Sequence, residues 1–127
     1  MTGVIIFAHG SSVSSANEAV HAVSRQAARD GGFSLFETAF LDQATPTLRE
    51  AVASLVDRGA ERILVIPYFL TLGIHLQRDL PAIVEGISRL HDGLEIEVTP
   101  PLDGHPALSG ILVERAREAL QGPVVHS

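Results

Sequence analysis

The chain has 127 residues, 46% of them hydrophobic and 19% charged, with a formal net charge of −6 and no cysteine. This length fits a single domain with one core, and this composition excludes a disordered polar chain. Without cysteine there can be no disulfide, thiolate metal site or cysteine nucleophile. The nine basic residues form no cluster of the kind that contacts phosphates, so we expect no nucleic-acid partner.

The first ten residues, MTGVIIFAHG, carry no basic group at their start, and their apolar run is too short for a signal peptide or a membrane span. We therefore expect a cytoplasmic protein without a membrane partner. The alternation of apolar and polar residues continues almost to the end of the chain. It predicts one domain with a core over residues 3–121, followed by a short tail over 122–127.

Four short runs rich in β-branched and aromatic residues predict strands at 3–8, 34–41, 62–70 and 94–100. The longer segments between them have helical spacing. The order is therefore βαβαβαβα, and the strands are mostly continuous apolar runs. That combination is typical of a parallel sheet with helices on both faces.

The first two helices have recognisable starts. Ser15 and Glu18 form an S-x-x-E capping box, and two glycines at 31–32 supply a stop. For the second helix, Thr45 is a suitable N-cap residue and Pro46 suits the first helical position. We therefore expect helix one to begin near residue 15 and helix two to begin at residue 46.

The last two helices each contain a proline near the start. Because proline is tolerated only in the first turn, Pro81 predicts that residues 75–78 belong to the preceding loop or to a lead-in turn, with Asp79 as the cap. Pro106 predicts the start of helix four. Helix four should turn its apolar positions inward; these are Leu108, Ile111, Leu112, Ala116 and Leu120.

Right-handed crossovers arrange such strands as a doubly wound sheet in the order 2-1-3-4. Strands one and three are then neighbours, and the direction of winding reverses between them. Ligands of such sheets bind beyond the carboxyl ends of the strands at this switch point. The loops after strands one and three are therefore the first places to look for function.

Each of these loops carries a histidine, His9 after strand one and His75 after strand three. A neutral imidazole binds divalent cobalt, nickel, iron or zinc, and it accepts protons near physiological pH. Either histidine taken alone could equally be a hydrogen-bonded structural residue, but both are expected at one edge. Two histidines without a third strong ligand suit an open, exchangeable metal position better than a closed structural site.

The residues around the histidines suggest how an anion could be held. The backbone amides of Gly10, Ser11 and Ser12 precede helix one and predict an anion-binding nest. Arg78 could add a charged donor, or it could be an ordinary solvated arginine. Ser11 as a nucleophile is disfavoured, because AHGSS does not match the G-x-S-x-G elbow. His105 is expected to cap helix four.

Four segments together resemble one known family, the CbiX-type sirohydrochlorin chelatases, which are class II tetrapyrrole chelatases. These segments are FAHGSS (7–12), AFLDQATPTL (39–48), RILVIPYFLTLGIHLQRDLP (62–81) and PPLDGHPAL (100–108). The resemblance covers nearly the whole chain, in order. It implies a flavodoxin-like fold, and it implies that a chain of this length pairs as a homodimer around a large macrocycle.

The same resemblance implies that His9 and His75 are the functional histidines, both as metal ligands and as proton acceptors. It implies insertion of a divalent metal into sirohydrochlorin, with Co²⁺ as the expected ion, Fe²⁺ or Ni²⁺ as alternatives, and no organic cofactor. Gly10 and Gly73 would let the backbone approach the ring. Many relatives have HGSRD where this chain has Ser11, Ser12 and Val13, which leaves open how the substrate carboxylates are held.

Two other functions are compatible with the same residues. The crevice could serve a non-catalytic carrier of metal or tetrapyrrole, which would bind without accelerating any reaction. Alternatively, Ser11 could serve a small hydrolase with no need for metal. A metal-insertion assay separates all three.

Overall fold

The structure, a computed structural model, describes residues 1–122, so most of the tail expected from the sequence, including His126, lies outside the described residues. Strands and helices alternate along the chain. The strands are β1 (Thr2–Ala8), β2 (Phe36–Phe40), β3 (Arg62–Pro67) and β4 (Glu95–Val98). The helices are α1 (Ser14–Gly31), α2 (Leu48–Asp57), α3 (Ile74–Ser88) and α4 (Ala107–Gln121).

The strands form one parallel sheet in the order β2-β1-β3-β4, which confirms the predicted fold class and strand order. The central strand β1 is buried from residue 3 onward, because it has a neighbour on both edges and helices on its faces. Its residue Ile5 pairs with Glu37 of β2 and with Val65 of β3. This register brings the ends of β1 and β3 side by side.

Alternation along the strands divides the core between the two faces of the sheet. On one face, Ile5, Phe7 and Val65 join a buried cluster with Leu55 of α2 and Leu80 of α3. On the other face α1 buries Ser24 and Ala28. The hydroxyl of Ser24 donates to the Val20 carbonyl at 2.8 Å, so this buried polar group is satisfied within its own helix.

Helix α3 differs from the sequence-based expectation. It begins at Ile74 with Gly73 as N-cap, and Pro81 lies inside it. The predictions that residues 75–78 form a loop and that Asp79 is the cap were therefore wrong. An interior proline costs about 3 kcal/mol, whereas each buried aliphatic side chain contributes about 1.5–3 kcal/mol. Three such residues, Leu80, Val84 and Ile87, face the core on α3, and their burial outweighs the proline.

Helix α2 begins two residues later than the sequence suggested. Its N-cap is Thr47, which forms a capping box with Glu50, so the assignment of Thr45 as cap was wrong. The Phe40 N–H donates to the Pro46 carbonyl at 2.9 Å, which holds this segment extended beside β2. The pKa of the Glu50 carboxyl lies below its ordinary value, because the carboxylate accepts hydrogen bonds from Thr47. The backbone N–H of Thr47 has the larger effect and the Thr47 hydroxyl the smaller one.

The start of α1 also differs. Val13 is the N-cap and no side chain caps the helix, so the predicted capping box of Ser15 and Glu18 does not form. Instead the hydroxyl of Ser11 accepts a hydrogen bond from the Val13 N–H at 3.0 Å. This local bond turns the chain into the helix before residue 15 is reached.

Helix α4 contains no buried residue. The prediction that its apolar positions face inward was therefore wrong for the single chain, and Leu112 and Leu120 are 71% and 84% exposed. The spacing of apolar residues identified the helix but could not identify what covers it. Within residues 1–122 no helix is both long enough and apolar enough to cross a membrane.

Candidate active site

A cavity of about 520 Å³ lies at the carboxyl edge of the sheet, where the loops after β1 and β3 meet. We call it the histidine cavity, because His9 and His75 both line it. Its polar lining also includes Thr71 and Asp79, and Gly73 lies in its wall. The rest of the lining is apolar and consists of Leu41, Phe69, Ile74, Leu76 and Ile83.

His9 is exposed at its side chain but firmly held at its backbone. It directly follows β1, and its carbonyl accepts a hydrogen bond from the Asp42 N–H at 3.0 Å. Its ring meets the ring of Phe69 edge to face, with centroids 6.0 Å apart. The imidazole is thus supported on one side and open to the cavity on the other.

Gly10 allows the loop after β1 to approach the loop after β2. Its φ angle is +92°, and a Cβ placed there would lie 1.8 Å from the Asp42 carbonyl oxygen. A side chain at this position would therefore collide with backbone. Gly73 is different, because a Cβ there would meet nothing within 4 Å. The Gly73 side of the cavity is open, which leaves room for a ligand.

Ser11 and Ser12 precede α1 but do not line the histidine cavity. The Ser11 N–H donates to Asn17 Oδ1 at 3.0 Å, and Asn17 Nδ2 donates back to the Ser11 carbonyl at 2.8 Å. One donor of the predicted anion nest is thus occupied within the chain. Sequence reasoning missed Asn17; the available signal was an asparagine in the first turn of a helix, a residue type that often bonds nearby backbone.

His75 lies in the first turn of α3 and is exposed. The Arg78 guanidinium lies 3.4 Å from its Nδ1, and Arg78 also pairs with Asp79 at 3.0 Å. A guanidinium can only donate, so this contact favours the neutral tautomer with hydrogen on Nε2. A metal can therefore bind Nδ1 of His75 only after Arg78 has moved away. It can bind Nε2 only after the proton has moved from Nε2 to Nδ1.

Two imidazoles are the strongest metal donors that the cavity offers. Within residues 1–122, no three His, Asp or Glu side chains are placed to hold one ion together. Asp79 lines the cavity, but its carboxylate already pairs with Arg78. Such a donor set favours transient over permanent metal binding, since structural sites normally have four ligands.

His105 does not line the histidine cavity. Its Nδ1 accepts a hydrogen bond from the Ala107 N–H at 3.0 Å, at the first residue of α4. His105 thus satisfies the first helical N–H, as expected from the sequence, but the N-cap position itself is Pro106.

The apolar walls of the cavity were missed by sequence reasoning. Leu41 and Phe69 follow the ends of β2 and β3, and Ile83 lies on α3, so each looks like an ordinary core position. In the structure Leu41 and Ile83 remain 38% and 41% exposed. Apolar side chains just beyond the carboxyl ends of strands were the signal that could have found the first two.

Fold and site together define a parallel α/β protein with an open, largely apolar cavity that presents two histidines at the switch point of the sheet. The family model for CbiX matches residues 3–119, so the chain belongs to the CbiX family. This confirms the resemblance read from the sequence.

Relatives with assigned activities are similar over most of the chain. A sirohydrochlorin cobaltochelatase of Saccharolobus solfataricus is 33% identical over 125 residues, which cover 93% of this chain and 95% of that protein. A sirohydrochlorin cobaltochelatase of Priestia megaterium is 31% identical over 97% of this chain, yet this chain spans only 40% of its length. A chloroplastic sirohydrochlorin ferrochelatase of Arabidopsis thaliana is 28% identical over 93% of this chain.

Solved structures have the same fold. A CbiX chain of cobalamin biosynthesis from Marinobacter aquaeolei VT8 superposes with a TM-score of 0.84 at 27% identity, over 95% of this chain and 98% of that one. The sirohydrochlorin chelatase SirB of Bacillus subtilis, solved with cobalt, gives a TM-score of 0.85 at 20% identity. The superposition covers 92% of this chain but only 50% of the SirB chain. The fold described above therefore corresponds to about half of that larger protein.

Proposed function

We propose that the protein is a chelatase that inserts a divalent metal into sirohydrochlorin, with Co²⁺ ahead of Fe²⁺ and Ni²⁺. The observation that carries the proposal is the histidine cavity, in which His9 and His75 line one open space at the switch point. Membership of the CbiX family and the names of the relatives support the substrate. Cobalt comes first because most of these relatives are cobaltochelatases, and imidazole accepts all three ions.

Metal insertion exchanges the pyrrolic protons of the macrocycle for the ion. The reaction is slow in water, because the ion must lose bound water while the ring nitrogens are still protonated. In this proposal the lone pairs of His9 and His75 hold the ion and then receive the released protons. The apolar walls at Leu41, Phe69 and Ile83 receive the flat ring and displace water from it.

The proposal is tested by a spectroscopic insertion assay on sirohydrochlorin with Co²⁺, Fe²⁺ and Ni²⁺ in turn. His9→Ala and His75→Ala should each lower kcat at least about 100-fold, the size expected for loss of a group that transfers protons. His91→Ala is the matched control, since His91 lies after α3 and outside the cavity, and it should retain the full rate. A His75→Ala protein with full activity would refute the two-histidine scheme.

The carrier alternative gives a different result in the same assay. A carrier would take up metal or tetrapyrrole stoichiometrically without exceeding the rate of free metal with sirohydrochlorin. A hydrolase that uses Ser11 would be labelled by serine-reactive reagents and would need no metal. The hydroxyl of Ser11 already accepts from Val13, which argues against that role.

The rate should also depend on pH. A protonated imidazole neither binds a metal nor accepts a proton, so kcat should rise between about pH 5 and 8, where histidine side chains ordinarily titrate. A rate that is flat across this range would contradict the assignment. The control is the uncatalysed insertion measured in the same buffers.

We also propose that the working form is a homodimer, as the family resemblance implies. Helix α4 buries none of its residues, and Leu112 and Leu120 are largely exposed. Leu64 and Ile66 of β3 point away from the α2–α3 face and are only half-buried. A second copy that packs on these surfaces would bury apolar area on both, and it would enlarge the space around the macrocycle.

Analytical ultracentrifugation tests the dimer. The unmodified chain should sediment as a dimer, and Leu112→Asp should sediment as a folded monomer, because a charge would be buried in the interface. Leu90→Asp is the control, since Leu90 is also exposed, at 55%, but lies beyond the end of α3. A wild-type monomer at assay concentrations would remove this part of the proposal. The cytoplasmic location stays a prediction of the sequence, and cell fractionation tests it.

A further inference from the structure

A second cavity, of about 440 Å³, lies beside the histidine cavity, between the start of α2 and the middle of α3. We call it the α2–α3 cavity. Its wall shares Leu41 and Ile83 with the histidine cavity. Both side chains are more than one-third exposed. A single ligand can therefore contact them from the histidine cavity and from the α2–α3 cavity. Each cavity has the size of a small-molecule site, and together they form one continuous surface.

The α2–α3 cavity is apolar and has been left open by small residues. Phe7 and Phe40 lie at its base, and Ala82 and Gly86 form its α3 side. These two are four residues apart, so they share one face of the helix. A glycine inside a helix costs about 0.5–1 kcal/mol relative to alanine, and a Cβ at Gly86 would meet nothing within 4 Å. The local packing therefore does not require a glycine here.

One cation, Arg49, lies at the rim of this apolar cavity. It is the second residue of α2, where the helix dipole disfavours a positive charge. Of the ion pairs formed among residues 1–122, none includes Arg49. An arginine without an internal partner can donate two parallel hydrogen bonds to a carboxylate. Cavity and cation together fit a flat apolar ligand with a carboxylate at its edge.

We propose that the α2–α3 cavity is a substrate subsite, in which the apolar walls hold one edge of the macrocycle and Arg49 binds a carboxylate of that edge. The inference rests on the proposed function, because it takes a tetrapyrrole as the ligand. It supplies a positive contact for a peripheral carboxylate in a chain whose first motif lacks a charged residue. Arg49 binds substrate in this scheme and takes no part in proton transfer.

Steady-state kinetics with sirohydrochlorin and Co²⁺ test the role of the charge. Arg49→Gln should raise KM for sirohydrochlorin about tenfold or more, the size expected for loss of a charged hydrogen bond, with kcat within about twofold. KM for Co²⁺ should not change. Arg49→Lys should recover part of the loss. Arg25→Gln, which removes an arginine from α1 outside both cavities, should match the unmodified protein.

Substitutions at Gly86 test the space. Gly86→Leu should fill the α2–α3 cavity and raise KM for sirohydrochlorin by about tenfold or more, whereas Gly86→Ala should change it less than about twofold. Circular dichroism should show that both variants fold, and the helix should gain stability from either replacement.

The outcomes separate this inference from the proposed function. If the unmodified protein neither binds nor metallates sirohydrochlorin, the proposed function fails. If it is active and both Arg49→Gln and Gly86→Leu keep the original KM, the inference fails alone. An equal loss of kcat in Arg49→Gln and His9→Ala would also overturn it, because Arg49 would then act on the chemistry and not on binding.

Discussion

The two histidines lie at different distances from the backbone hydrogen bonds that hold the loops after β1 and β3. The loop after β1 is bound to the loop after β2 by the hydrogen bond between the Asp42 N–H and the His9 carbonyl, and Gly10 packs directly on that backbone. The loop after β3 is bound only as far as Leu70. The Tyr68 N–H donates to the Phe7 carbonyl at 2.7 Å, and the Phe69 and Leu70 carbonyls accept from the N–H groups of Leu102 and Asp103 at 3.0 and 2.7 Å. Gly73 and His75 are exposed beyond it.

This difference suggests a division of labour between the two imidazoles. Segments with few buried contacts open at lower free energy than segments packed into a core. We therefore expect His9 to be preorganised and His75 to adjust when metal or macrocycle arrives. The exposed contact between Arg78 and His75, at 3.4 Å, is compatible with such adjustment.

The largest expected difference between the loops comes from their glycines. Gly10→Ala should lower the free energy of unfolding by at least about 2 kcal/mol, because the positive φ and the collision with Asp42 both oppose a Cβ. Gly73→Ala should change it by less than about 0.5 kcal/mol, since its φ is −63° and its surroundings are open. Urea denaturation measures both, and equal midpoints would remove the contrast.

Side chains that support each loop should show a smaller difference of the same sign. Asn17→Ala removes two hydrogen bonds to the backbone of Ser11 and should cost about 1–2 kcal/mol. Arg78→Ala removes an exposed pair with Asp79 and should stay within about 0.5 kcal/mol. Chemical denaturation measures the free energy of unfolding of both variants. A larger loss for Arg78→Ala than for Asn17→Ala would contradict this prediction.

The α2 cap, Thr47, lies at the end of the loop after β2 and should contribute less to stability than Asn17. Thr47→Ala should lower the free energy of unfolding by about 1 kcal/mol, because the Glu50 N–H loses its acceptor. Thr47→Ser keeps a hydroxyl and is the matched control. Thermal denaturation of the three proteins checks this, and no difference between Ala and Ser would show that the cap is unimportant.

The smallest effect is a pH dependence of the same cap. The folded protein holds the pKa of Glu50 below its ordinary value, so the ionised carboxylate stabilises the folded state. That stabilisation is complete above the pKa of Glu50 in the unfolded state and is lost as the pH falls through the lower pKa of the folded state. Glu50→Gln keeps a hydrogen-bond acceptor but cannot ionise. The unmodified protein should therefore lose stability relative to Glu50→Gln on going from about pH 7 to 3.

The sequence predicted where the site lies more completely than it predicted which contacts build the site. His9 and His75 follow two strands that a parallel sheet in this order must place side by side, so their meeting at one cavity could be predicted. The contact of Gly10 with Asp42 could not. It depends on the approach of two loops about thirty residues apart, which no local pattern encodes.

The alternation of apolar segments by itself determined the number and order of the strands and helices, and the right-handed crossover rule then determined the strand order. These features follow from periodicities of a few residues and from chain connectivity. Tertiary structure alone decided that Pro81 lies inside α3 and that α4 leaves its apolar side exposed. The position of Pro81 depends on burial of the apolar side of α3, whose free energy exceeds the local preference of a single residue. The exposure of α4 depends on which parts of the molecule the fold places beside it, and no local pattern contains that information.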